Sequence, residues 1–246
     1  MHYAQKSNGL YVLYRNDIER IAVEILKRYA PSNLCVPKPL NTTDFLENYL
    51  GLVVKNRYIC DFGSGILGLT VMGDIVPIPS YDEFLRPVIL EETFGTVLIS
   101  PLLLKRNRRP RRRYTEMHEA AHFILHRPYF ERCERTTGAD SKCPCTFIAC
   151  RKVERDREEI RTDLDWLEYQ ADALAAALLM PRDAFAARAQ EAFRENGIRG
   201  QCMVVGKFDN WTALHRVIYQ MAETFFVSYR AARIRMYHLG LIREYQ

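Results

Sequence analysis

The sequence predicts an α+β fold, and three features carry that prediction. Segments near both ends and in the middle repeat apolar residues at helical spacing, whereas residues 52–99 break into short apolar runs punctuated by Gly and Pro. No internal repeat interrupts this order. The 246 residues suffice for one large domain, or for one domain with a small helical appendage. With 48% hydrophobic and 26% charged residues, the composition is that of a globular chain and argues against wholesale disorder.

Taken in order, residues 16–30 form an amphipathic helix. Asn16 or Asp17 caps it, and Ile18, Ile21, Ala22, Ile25, Leu26 and Tyr29 share one face before Pro31. Thr42 or Thr43 caps a short second helix that stops at Gly51. Short strands follow at 52–55, 66–72, 75–78 and 96–99, as in a small twisted sheet. An arginine-rich loop, 105–113, leads into a helix over 115–126 whose buried face is Met117, Ala120, Ala121, Ile124 and Leu125. Residues 127–150 read as irregular, 151–163 as a solvated charged helix, and 164–180 as an apolar helix ended by Pro181. Another helix, 181–196, stops at Gly197. The remainder reads as helical, with a break at Val227 and Ser228 capping the last helix. The domain expectation is 1–185, carrying a Cys-rich insertion at about 127–162, followed by a helical region over 186–246.

Net charge is +5, but Lys105, Arg106, Arg108, Arg109, Arg111, Arg112 and Arg113 supply seven cations within one short segment, which leaves −2 for the rest. The chain is therefore not basic all over, as a general nucleic-acid binder is. The loop reads as a solvated connector, as a clamp for an acidic substrate, or as a nucleic-acid contact. It contains no aromatic residue on which bases could stack. The longest apolar runs are interrupted by Pro101 and Asp172 and are too short to span a bilayer, so no membrane partner is expected. The first residues lack the charged start and apolar core of a secretory signal, and a cytoplasmic location is the expectation. Seven cysteines is an odd number, and reducing compartments disfavour disulfides. Cys133, Cys143, Cys145 and Cys150 either hold a second, structural zinc or stay as unligated thiols.

The chemistry-bearing motif is His118-Glu119-Ala120-Ala121-His122. Residues four apart on a helix lie on one face, so both imidazoles can ligate one metal at about 2.0–2.1 Å. Glu119, rotated about 100° around the axis, can reach a water in the metal's open position and move its proton. Zinc wants a third protein ligand. In 168–172 two acids sit four apart in an apolar helix whose core face is Leu164, Leu167, Ala171, Leu174, Ala175 and Leu178. Carboxylates beside a core need partners; Glu168 would ligate, and Asp172 would accept the other N–H of a ligand histidine. His126, one turn beyond His122, reads as a structural partner, because a fourth ligand would close the open position.

Two blocks of residues resemble the ImmA/IrrE family of metallo-endopeptidases. The first runs from Arg113-Tyr114-Thr115 through the motif to His126. The second is Glu168-x-x-Ala171-Asp172-x-Leu174-Ala175-Ala176-x-Leu178-Leu179-Met180-Pro181. Phe226-Val227-Ser228, Ala231, Arg235 and 239–242 are similar to that family's helical tail. The resemblance implies a zincin-like peptidase domain with one catalytic Zn2+ on His118, His122 and Glu168, and with Glu119 as acid/base. It also implies a regulatory role in mobile-element or stress circuits, with a helix-turn-helix repressor as the protein substrate. Ala121 stands where the family often has Gly, Asp172 where it often has Asn, and the third ligand lies farther along the chain than in most members.

In zincin-type peptidases an edge strand pairs with extended substrate, and 96–99 is the candidate for that edge. Tyr114, Tyr169, His126 and His215 are candidates for stabilising an oxyanion. Two rivals remain: a regulator that keeps the metal fold but acts by partner or DNA binding, and a toxin–antitoxin-like or phage-immunity component whose output is a complex. The intact Glu119 favours catalysis, since binding alone does not need it.

Overall fold

The computed structural model describes residues 3–60, 65–82, 84–137, 147–151, 162–205 and 211–244. It is a mixed α+β structure that divides into two compact units, Met1–Ile18 with Thr42–Ala175 and Glu19–Asn41 with Ala176–Gln246. Among the described residues no helix is long and apolar enough to cross a membrane.

Helix α1 (Arg15–Tyr29) starts where the Asp17 carboxylate accepts from the Tyr14 N–H, and ends just before Pro31. Helix α2 (Thr42–Asp44) continues into a π-helical turn at Phe45–Tyr49. The first unit contains a four-stranded sheet in the order β1 (Val53–Asn56), β6 (Thr96–Ile99), β3 (Ile66–Val71), β7 (Phe147–Arg151). The β1–β6 pair is parallel and the others are antiparallel. A second sheet comprises β2 (Tyr58–Ile59), β4 (Ile75–Tyr81) and β5 (Pro87–Thr93).

Alternation along β3 divides its side chains between two layers. Leu69 and Val71 pack with Leu98, Ile59, Val76 and Ile78 between the two sheets, while Gly68 and Thr70 meet helix α3 (Arg109–Thr137) on the opposite face. Strand β6 is buried along its whole length between β1 and β3. The expectation that 96–99 forms an exposed edge is thereby corrected: four consecutive residues suited to burial on both faces mark an interior strand. Strands β2, β5 and β7 are additions to the strands the sequence predicts, and β7 corrects the irregular reading of 127–150 at its end and the helical reading at Arg151.

Helix α3 also corrects the reading of the arginine-rich segment. The last cations of that segment, from Arg109 on, belong to the helix rather than to a loop. Pro110 fits its first turn, where a missing N–H costs nothing. At the other end the helix continues through Pro128 to Thr137 instead of stopping at residue 126. Helix α4 (Asp163–Leu179) opens with a reciprocal cap: Asp165 N–H donates to Thr162 Oγ1 and Thr162 N–H to Asp165 Oδ2.

An N-terminal arm fastens onto both long helices of this unit. Gln5 bridges Tyr11 around a turn in which Gly9, at φ +90°, sits where a Cβ would lie 2.6 Å from the Pro128 carbonyl oxygen. Arg132 donates to Ser7 O at 2.7 Å on the α3 side. On the α4 side, Asn8 donates to Asp163, and Trp166 Nε1 and Gln170 Nε2 both donate to Tyr11 O. Leu10 packs with Met72, Phe130 and Leu167 beneath the arm.

The second unit holds α5 (Arg182–Glu195), α6 (Trp211–Phe225) and α7 (Tyr229–His238), with Phe185 and Phe225 in ring contact at 5.1 Å. Ser228 caps α7 by accepting from Ala231 N–H. A parallel strand pair, β8 (Met203–Val205) with β9 (Ile242–Glu244), corrects the reading of this region as wholly helical. Arg235 is buried, donates to both carboxylate oxygens of Glu19, and donates through Nε to Met180 O at 3.0 Å, satisfying a carbonyl at the end of α4. Replacing Arg235 by Met removes both of its hydrogen bonds to the Glu19 carboxylate and leaves the weaker ion pair with Arg182 at 3.8 Å. The expected loss is about 3–5 kcal/mol in denaturant unfolding, largely recovered in the double variant Glu19→Met/Arg235→Met. Equal stabilities of the single variant and wild type would contradict this.

Candidate metal centre

His118 and His122 project from one face of α3, and Glu168 reaches them from α4. The two Nε2 atoms are 2.9 Å apart, and each lies 3.5 Å from a Glu168 oxygen. Ligands arranged tetrahedrally at about 2.0–2.1 Å from a zinc ion stand about 3.3 Å from one another, so this triangle is the right size. The imidazoles are buried and the Glu168 side chain is 13% exposed, so the cluster is reached from the Glu168 side.

Hydrogen bonds around the cluster leave its lone pairs facing inward. Asp172 Oδ1 lies 2.9 Å from His118 Nδ1; the carboxylate can only accept, so the proton sits on Nδ1 and Nε2 is bare. His122 Nδ1 lies 2.9 Å from His126 Nδ1. Burial pushes the His122 imidazole down to about 4, with bonds to Glu168 opposing, which keeps it neutral at pH 7. Burial pushes Glu168 up, but the influence of the His118 and His122 imidazoles beside it outweighs this and holds its carboxyl well below the usual range. Neutral imidazoles beside an ionised carboxylate are the protonation states that a divalent cation requires.

Glu119 sits against β3, fully buried. Its Oε2 is 2.7 Å from Thr70 Oγ1, whereas Oε1 is buried without a hydrogen-bond partner among the described residues. Thr70 Oγ1 is also 3.2 Å from the Glu119 carbonyl oxygen. The hydroxyl can donate to the ionised carboxylate. When Glu119 holds the proton, the hydroxyl can accept it and donate to the carbonyl instead. Close approach of α3 to the sheet depends on Gly68, where a Cβ would stand 2.5 Å from Glu119 Oε1 and 2.7 Å from Thr115 Cγ2. Beside the motif, Glu116 is buried between Thr42 Oγ1 at 2.6 Å and Arg112 Nε at 2.7 Å, joining α2 to α3.

The structure brings His118, His122, Glu168 and Asp172 together, with Glu119 one residue from the first of them. Tyr114 OH donates toward Asp172 at 3.3–3.4 Å. Tyr169 stacks on Trp166, and His126 is sealed behind His122. His215 belongs to the second unit, where Tyr229 OH is 2.6 Å from its Nδ1. Of the cysteine group, Cys133 lies on α3, half-buried; Cys143, Cys145 and the Cys150 side chain lie outside the described residues. Thr70, Gly68, Glu116 and Gln170 are the residues that sequence reasoning missed. No family model matches the chain, and no curated protein matches it.

Burial pushes the Glu119 carboxyl up to about 8, with His118 and Thr70 opposing. A folded-state value raised above the ordinary 4.5 contributes stability below that pH, and the contribution is lost as pH rises through about 8. The metal-free chain is therefore expected to lose stability between those limits relative to Glu119→Gln. Thermal unfolding of both proteins from pH 5 to 9 checks this; parallel curves would contradict it.

Proposed function

We propose that the chain is a zinc-dependent endopeptidase with a zincin-like domain, of the ImmA/IrrE kind, acting on a regulatory protein of helix-turn-helix repressor type. The observation that carries this reading is the meeting of two imidazole nitrogens from α3 with a carboxylate from α4, beside a buried glutamate that has a partnerless oxygen. Among the described residues the cluster has three ligands, the number that leaves a position open for chemistry. Zinc bound there supplies Lewis acidity and lowers the pKa of a bound water toward about 7.

The chain's own residues divide the remaining work. Glu119, whose Oε1 has no hydrogen-bond partner among the described residues, takes and returns the proton. Thr70 holds that carboxyl in either protonation state. Asp172 orients His118, and Tyr114, tied to Asp172, is the hydroxyl we assign to meet a polarised carbonyl oxygen. The repressor-type substrate follows from the resemblance of the motif blocks alone.

Three results test this. The purified chain should bind one catalytic zinc. Glu119→Gln should keep that zinc while peptide-bond cleavage falls at least about a hundredfold, read by intact-mass analysis after co-expression with helix-turn-helix proteins encoded beside its gene. Unchanged biological output in Glu119→Gln would favour the regulator that acts by binding. Gly68→Ala should likewise retain zinc yet lose cleavage, because the added carbon displaces Glu119 and leaves the three ligands in place. Loss of zinc in that variant would show that the glycine serves the ligands instead.

A further inference from the structure

We infer that a buried hydrogen-bond relay, from the main-chain carbonyl of Tyr11 through Gln170 and His126, fixes the His122 tautomer that turns a bare Nε2 toward the metal position. His126 and Gln170 are thus positioning residues of the centre. The inference rests on the metal-centre reading and adds to it an N-terminal arm that no motif includes.

Each step of the relay has a forced polarity. A backbone carbonyl can only accept, and Tyr11 O accepts from Gln170 Nε2 at 2.7 Å and from Trp166 Nε1 at 3.1 Å. The amide NH2 of Gln170 therefore faces the arm, and its Oε1 faces His126. That oxygen can only accept, so His126 Nε2, 3.1 Å away, carries a proton. A neutral imidazole has one N–H, and none of the hydrogen bonds of buried His126 goes to a carboxylate that would hold a second proton. His126 Nδ1 is therefore an acceptor. It lies 2.9 Å from His122 Nδ1, where two bare lone pairs would repel, so His122 carries its proton on Nδ1. Its Nε2 is left bare, 2.9 Å from His118 Nε2 and 3.5 Å from Glu168 Oε1.

The two ligand histidines reach the same tautomer by different means. His118 uses the carboxylate of Asp172, whose side chain is 56% exposed, so its charge is solvated. His122 is fully buried, and a carboxylate against its Nδ1 would need a costly desolvation. A neutral imidazole and a neutral amide achieve the same orientation without a buried charge, ending on an atom that cannot change its protonation.

The test uses the full chain with 15N-labelled histidine. Long-range 1H–15N spectra at neutral pH, zinc-free and zinc-loaded, should show His126 protonated at Nε2 and bare at Nδ1, and His122 protonated at Nδ1. Zinc affinity, read by competition with a chromogenic chelator, should weaken by about 10–100-fold in His126→Phe and in Gln170→Leu. His126→Gln should stay close to wild type, because its amide accepts from His122 and donates to Gln170. A proton on His126 Nδ1, or wild-type zinc affinity in His126→Phe, overturns the relay and leaves the metal centre standing. A wild-type chain that takes up no zinc refutes the centre instead, while the tautomer spectrum still decides the relay.

Discussion

Lone pairs from distant parts of the chain converge where α3 meets α4, and this convergence is uphill unless a cation occupies it. Two imidazole nitrogens at 2.9 Å, with a carboxylate 3.5 Å from each, repel in surroundings too dry to screen them. The surrounding structure therefore has to hold the donors in place independently of the ion. Asp172 holds His118 and His126 holds His122, each through the nitrogen that faces away from the centre. A donor set fixed in this way loses little conformational freedom when it binds an ion, the physical basis of tight and selective ligation.

Further out, the sheet and the arm constrain the two helices. Gly68 lets α3 lie close enough to β3 for Thr70 to reach Glu119, so the same pair of residues sets the helix depth and the carboxyl position. The arm ties α3 through Arg132 and α4 through Asp163, Trp166 and Gln170. Gly9 is required there twice over, by its positive φ and by the Pro128 carbonyl against which it packs. That carbonyl lies beyond the motif on the same helix, which is why extension of α3 through Pro128 matters to the site.

The residues of the candidate centre could be picked out because their signal is local: a four-residue spacing on one helix, and two acids where a core face would exclude them. Thr70 and Gly68 carried no such signal, since a Gly-x-Thr within a strand is ordinary until a helix is laid on it. Gln170 lies two residues from Glu168, about 200° around the helix, so periodicity placed it away from the metal. It acts from there, through His126. The helix expected over 115–126 runs on through Pro128: a proline removes one helical hydrogen bond, yet the packing of Phe130 with Leu10 and Leu167 favours continuation. The interior position of β6 was hidden for a similar reason: pairing partners are set by tertiary contacts, and four residues are too few to reveal both neighbours.

The arginines at the start of α3 raise the question of whether they tune the site. Lys105, Arg106, Arg108, Arg109 and Arg111 are exposed and without ion pairs among the described residues, and they stand at the helix end where cations are disfavoured. Arg112 is offset locally, by Glu116 at 2.7 Å. Along the helix axis Arg109 lies about 15 Å from Glu119. Over that distance an exposed unit charge contributes roughly 0.3 kcal/mol in water-like surroundings, and salt with a Debye length of about 8 Å reduces it further. The contacts that set Glu119 act at 2.7 Å and inside a buried site, so they dominate. The acid–base behaviour of the centre is therefore governed by burial and by its immediate neighbours, and the cationic segment has to be understood through what it meets in solution.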